Sequence, residues 1–204
     1  RSFHFFQTGK MARARAVERM RSRVNILKEM GYIQNEALTE KGEFARLVYG
    51  YELIFSELYG GGMLERFSVE ELGMLAVAAV YEPRKGEHRP EMKGRVKKLD
   101  DISSEAMRRI HKLERTAGLR DLTKRPFFHL SDAVRDWMRG ADFQTIVQKT
   151  EADEGEIVRY FRMAIQVLRQ IIDGEVSPVL EAKIYQVIDL LKRDVIDSEK
   201  QLRS

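Results

Sequence analysis

Residues 131–172 read SDAVRDWMRGADFQTIVQKTEADEGEIVRYFRMAIQVLRQII, and the fold turns on them. Three helical segments fit in order: Ser131 to Arg139, Asp142 to about Lys149 around Phe143, Ile146 and Val147, and a longer one from Asp153 to Ile172. A turn at Thr150 to Asp153 separates the second from the third, so the stretch resembles a helix-turn-helix. On the longest segment Ile157, Phe161, Ala164, Ile165, Leu168 and Ile172 gather on one side, as they do in a helix that packs along one face. Arg159, Arg162, Gln166 and Arg169 fall within roughly 80° of one another on the other side, at about 100° per residue. One face packs and the other offers guanidinium groups, which suit phosphates or bases, so these four are the candidate nucleic-acid-binding residues. A solvated face with Arg–carboxylate pairs is the alternative, and the residues alone leave both open. Trp137, between Val134 and Met138, reads as core, and Ser131 as the N-cap of its helix.

Outward from this stretch helical periodicity persists. Ser177-Pro178 opens a long last helix to about Gln201, with Leu180, Ile184, Val187, Ile188, Leu191 and Val195 in one stripe. Upstream, residues 103–117 form a helix with Ile110, Leu113 and Ala117 inside, and Ser68 with Glu71 makes a capping box for a helix through about Tyr81. Between these two helices, residues 83–100 hold two Pro and two Gly, lack periodicity and are strongly basic, so they read as a loop or hinge. Residues 12–30 form the first helix, stopped by Gly31. Tyr32, Ile33 and Leu38 then flank a polar turn as a small β-wing near residues 32–39, and Thr39 caps a helix to about Tyr49. The expected class is all-α, a multi-helix bundle with that wing. Its segments are 12–82, a basic linker at 83–102, and a second helical half at 103–204.

The 204 residues carry 43% hydrophobic and 33% charged residues, no cysteine and a net charge of +4. Absence of cysteine removes disulfides, thiol nucleophiles and thiolate metal sites, and points to a reducing, cytoplasmic home. No apolar run approaches the roughly 20 residues of a membrane span. The chain opens on Arg1 rather than Met, as an excised piece of a longer protein would. Charge is segregated: residues 1–30, 84–98 and 108–125 together carry +16, leaving −12 on the rest. Separated basic segments favour a polyanion, because phosphate neutralisation releases counterions.

Catalytic chemistry finds no foothold. His4, His88, His111 and His129 lie far apart, so no metal is expected. His129, Ser131 and Asp132 hold the letters of a triad but lie within four residues. Gly60-Gly61-Gly62 follows a helix instead of preceding one, which fits a helix stop and not a phosphate cradle, and Gly9-Lys10-Met11 lacks the hydroxyl a magnesium ion needs. No cofactor is expected.

Short motifs carry a resemblance. Arg1-Ser2-Phe3 with Phe6-Gln7, Met30-Gly31-Tyr32, and Leu38-Thr39-x-Lys41-Gly42 stand in order with Glu82-Pro83-Arg84, Trp137-x-x-Gly140, Glu154-Gly155-Glu156-Ile157-Val158-Arg159-x-Phe161-Arg162 and Lys192-Arg193-Asp194-Val195. The set resembles the C-terminal helical (DSHCT) domain of superkiller-type and exosome-cofactor RNA helicases, DEAD/DEAH-box enzymes of superfamily two. The resemblance implies a helical bundle that packs on the helicase core of the same parent chain and guides single-stranded RNA. Residues 1–11 would then close the preceding core module. It implies an ATP-dependent parent, whereas this segment, lacking the ATPase motifs, is expected not to be an enzyme. Two departures stand out: the connector between Gln7 and Ala12 is short where eukaryotic members insert a long arch, and Met163 stands where a second basic residue often follows. A stand-alone winged-helix or helix-turn-helix DNA-binding regulator, and a protein-interaction scaffold, are the other readings.

Overall fold

A computed structural model describes residues 2–197, with side chains from Met11 to Asp197. In chain order these residues form α1 (Ser2–Glu29), the hairpin β1 (Ile33–Gln34) and β2 (Ala37–Leu38), α2 (Glu40–Leu47), α3 (Glu52–Gly60), α4 (Met63–Arg66) and α5 (Val69–Val80). There follow α6 (Gly94–Thr116), α7 (Ser131–Met138), α8 (Phe143–Val147), α9 (Glu154–Ile172) and α10 (Pro178–Leu191). Short 3-10 turns at Phe128–Leu130 and Asp194–Ile196 complete the set. The all-α bundle with a small wing is as the sequence predicts.

Helix α5 is the centre. Every residue from Leu72 to Val80 is buried, and a helix apolar on all sides must be covered on all sides. Helices α6, α7, α9 and α10 supply that cover. Gly73 permits the closest approach: a Cβ there would lie 2.5 Å from Met138 Sδ and 3.4 Å from Val187 Cγ1, so its absence lets α7 and α10 press on the α5 backbone. One apolar core, drawing on residues from Ile26 to Ile196, runs through both halves of the chain.

Local signals explain most helix starts. Ser68 and Glu71 close their capping box, Asp153 and Glu156 close another at α9, and Ser177 caps α10 ahead of Pro178. The wing pairs Ile33 with Leu38 and Gln34 with Ala37 across Asn35 and Glu36, both left-handed at φ 50° and 61°, the twist a two-residue hairpin requires.

Four expectations need correction. Helix α6 begins at Gly94, so residues 94–102 are not loop; Val96, Leu99, Ser103, Met107, Ile110 and Glu114 turn toward the core at helical spacing, and two of those six are polar or charged, which hid the period. Helix α1 starts at Ser2, ten residues before the start expected at residue 12. Ser131 is helical, not the cap; its hydroxyl donates to Phe128 O at 2.9 Å and closes the preceding 3-10 turn. The last helix ends at Leu191 instead of running to about Gln201. Asp194 there adopts φ 49°, and the Arg193 guanidinium turns back onto the Trp137 ring, 3.5 Å from its centroid. Residues 198–201 lie outside the described residues.

Candidate nucleic-acid interface

Helix α9 presents the predicted stripe, set by what its other side buries. Ile157, Tyr160, Phe161, Ala164, Ile165, Val167, Leu168 and Ile171 are buried against α5 and α10, while Ile172 is half-buried. With that face fixed, Arg159, Gln166 and Arg169 stand exposed along one line, and Arg162 sits half-buried between them.

The four differ in what they touch. Arg162 donates from Nε to Ile196 O and from Nη2 to Val195 O, both at 3.1 Å, tying the 3-10 turn after α10 back onto α9. Arg159 lies over the Tyr160 ring, 4.5 Å from its centroid, and the Tyr160 hydroxyl in turn donates to Glu82 O at 3.2 Å. Gln166 and Arg169 have no side-chain hydrogen bond or ion pair among the described residues. Nor does any carboxylate among them pair with Arg159. The acids at the start of this helix are instead held by Arg84: its guanidinium reaches Asp153 Oδ2 at 2.8 Å and Glu156 Oε1 at 3.0 Å, binding both members of the α9 capping box.

Arg84 illustrates a wider arrangement that sequence reading missed. The motifs meet in pairs. Glu82-Pro83-Arg84 meets Glu154-Gly155-Glu156 through the contacts just described. Trp137-x-x-Gly140 meets Lys192-Arg193-Asp194-Val195: Trp137 Nε1 donates to Leu191 O at 3.1 Å, and Arg193 Nη2 donates to Trp137 O at 2.6 Å. Burial accordingly draws the Arg193 pKa down from its usual value. Gly31-Tyr32 meets Leu38-Thr39-x-Lys41-Gly42: the Thr39 hydroxyl donates to Gly31 O at 2.7 Å, and Lys41 Nζ donates to Met30 O at 3.2 Å and rests 4.3 Å from the Tyr32 ring centroid. Tyr32 is itself buried, its hydroxyl sharing a 2.7 Å bond with Ser56 and donating to Glu57 at 2.6 Å, so burial and the nearby carboxylate push its pKa up. Spacing between motifs would not have revealed the first two meetings, which join segments brought together by the core; the third is local, made across the hairpin.

Several other cations are likewise engaged in the fold. Arg139 makes a two-pronged pair with Glu70 at 2.7 and 2.8 Å, Lys124 pairs with Glu82, Lys149 pairs with Asp136, and Lys183 Nζ donates to Glu65 O at 2.6 Å and Phe67 O at 2.9 Å. Open cations remain on α9 and also elsewhere, among them Arg13, Arg21, Lys112 and Arg115. Among the described residues no group of three or more His, Asp or Glu side chains could hold a metal ion. None of the described helices is long and apolar enough to cross a membrane.

The fold and its stapled motifs define a DSHCT-type helical bundle. The DSHCT (NUC185) domain family matches residues 35–199, and the chain belongs to that family. Among curated proteins it is similar to the ATP-dependent RNA helicase mtr4 of Schizosaccharomyces pombe, 26% identical over 204 residues that span 93% of this chain and 18% of the relative. The antiviral helicase SKI2 of Saccharomyces cerevisiae is 26% identical over 187 residues, 85% of this chain and 14% of the relative. The exosome RNA helicase MTR4 of Homo sapiens is 25% identical over 190 residues, 88% of this chain and 18% of the relative. The chain thus spans less than a fifth of the length of these relatives.

Proposed function

We propose that this chain is the accessory C-terminal helical domain of an ATP-dependent RNA helicase, that it packs on the helicase core of its parent, and that it guides single-stranded RNA along the exposed stripe of α9. The carrying observation is that Arg159, Gln166 and Arg169 form one exposed line without side-chain hydrogen bonds or ion pairs among the described residues, in a fold where many other cations are engaged. Such guanidinium groups on a helix braced from behind can follow a phosphate backbone without reading sequence. Arg162 plays a different part, positioning the turn beyond α10. The helicase names of the relatives support RNA as the polyanion.

A helix-turn-helix DNA reader is the weaker reading. Such a module sends the N-terminal residues of its recognition helix into the major groove. Here those residues are Glu154, Gly155 and Glu156, two of them acidic, with Glu156 engaged by Arg84. The test is a paired measurement of RNA affinity and melting temperature on Arg159→Ala, Arg162→Ala and Arg169→Ala. Arg159→Ala and Arg169→Ala should weaken binding equally across sequences, lower the salt slope by about 0.7 for each phosphate no longer neutralised, and leave melting unchanged. Arg162→Ala should lower the melting temperature. Unchanged affinity in both Arg159→Ala and Arg169→Ala overturns the α9 path.

A further inference from the structure

Helix α1 stands away from the bundle. Its residues from Met11 to Arg21 are exposed throughout, and it joins the core through Ile26 and Met30 near its end. Where it nears the turn after α6, the two enclose a cleft of about 800 Å³. Arg15, Arg19 and Arg23 line one wall and Arg120 the other, with Glu18 and Asp121 also contributing. Arg23 Nη2 donates to Asp121 O at 3.2 Å, which fixes the far end of the cleft. Arg15, Arg19 and Arg120 are exposed and have neither an ion pair nor a side-chain hydrogen bond among the described residues.

Four guanidinium groups against two carboxylates in a concave surface concentrate positive potential, because low-dielectric walls focus the field. Their spacing is also regular. Arg15, Arg19 and Arg23 recur every four residues, about 6 Å apart along the axis at 1.5 Å per residue, so they present evenly spaced charges in a line. The phosphates of an extended strand recur at a similar regular interval, and each guanidinium can fork onto one phosphate.

We infer that this cleft is a second backbone site for single-stranded RNA, separate from α9, in which Arg15, Arg19 and Arg23 follow successive phosphates and Arg120 closes over them. The inference rests on the reading of the chain as an RNA-guiding domain and extends the path to the opposite end of the sequence. Bases would face outward, so recognition here is independent of sequence.

The experiment is a fluorescence-anisotropy titration of labelled oligouridylate against the purified chain over a range of salt concentrations. The variants are Arg15→Ala/Arg19→Ala/Arg120→Ala in the cleft, Arg13→Ala/Arg21→Ala on another face of α1, and Arg159→Ala/Arg169→Ala on α9. With three guanidinium partners removed from the phosphates, the salt slope should fall by about 2 and low-salt affinity roughly tenfold, with melting unchanged. The Arg13/Arg21 pair should have less than half that effect, since it removes charge outside the cleft. If the cleft variant binds no worse than the Arg13/Arg21 pair, the cleft site is overturned, and weakened binding in the α9 variant shows that the RNA reading itself survives. If the unaltered chain fails to bind oligouridylate at low salt, the RNA reading fails and the cleft site with it. Displacement of oligouridylate by a polyglutamate peptide as readily as by unlabelled RNA of equal charge also overturns the inference, marking the cleft as a protein-docking surface.

Discussion

Gly42 and Gly155 both lie in the first turns of their helices and inside shared motifs, yet their surroundings demand different things of them. A Cβ on Gly42 would come within 2.2 Å of Tyr32 O, a backbone atom that Thr39 N also reaches at 3.0 Å, so nothing there can yield cheaply. A Cβ on Gly155 would meet Asp153 Oδ1 at 3.5 Å, an ordinary contact. Gly42→Ala is therefore expected to destabilise the chain by about 1–3 kcal/mol through overpacking, with the hairpin pushed off α2. Gly155→Ala should be neutral or stabilising by up to about 1 kcal/mol, since it lowers the backbone entropy lost on helix formation. Urea denaturation of the two variants beside the parent chain decides it: equal effects would show that the surroundings of Gly42 are soft. The same distinction applies to the arginines, where Arg162 contributes to the turn after α10 and Arg169, two turns further along the helix, contributes nothing to the fold.

Helix α6 shows which elements a sequence announces. Helices α5, α9 and α10 carry Ser68, Asp153 and Ser177 at their N-caps, each with a side chain accepting a backbone N–H, and all three were legible. Helix α6 instead begins behind Lys93, in extended geometry with no side-chain cap and no acid in its first turn, so its first nine residues read as loop. Replacing Lys93 with Asp should supply the missing acceptor and favour the positive end of the helix, raising stability by about 0.5–2 kcal/mol. The Lys93–Glu91 pair given up in the exchange is exposed on both sides and worth little. A chemical-denaturation midpoint at or below the parent's would refute this. The α9 stripe was legible for the same reason as the caps, because helical period alone sorts Arg159, Gln166 and Arg169 from the buried residues. The role of Arg162 was not: its acceptors, Val195 O and Ile196 O, reach it through a chain reversal held by Arg193 on Trp137, and no local pattern reports a contact between residues more than fifty positions apart.

At the scale of the whole molecule, the shifted groups set a stability profile against pH. Glu70 is held below the usual carboxylate range by its hydrogen bonds from Arg139, and Asp136 by its bond from Lys149 and then by Arg135. A carboxylate depressed in the folded state contributes stability above its unfolded pKa of about 4 and loses it as pH falls further. His129 acts on the same side at higher pH. Its ring packs 5.4 Å from Tyr81 and 6.0 Å from Phe127, its Nδ1 is buried without a protein partner, and burial lowers its pKa despite Glu87 and Glu151 nearby. The unfolded chain then takes up the proton first, so stability begins to fall as pH drops below about 6.5. On the alkaline side burial, reinforced by Glu57 and Glu87, raises the Tyr32 and Tyr81 pKa values. Their contribution is complete below the unfolded value of about 10 and diminishes as pH rises above it. The melting temperature should therefore be nearly level from about pH 7 to 9, decline gently below 6.5, and decline steeply below 4 and above 10. His129→Gln removes the titrating ring while leaving the carboxylates and tyrosines in place, so it should flatten the segment between pH 6.5 and 4.5 and leave both outer limbs. Thermal melts of the parent and the variant at closely spaced pH values check this, and a variant whose gentle decline persists unchanged would assign that limb to some group other than His129.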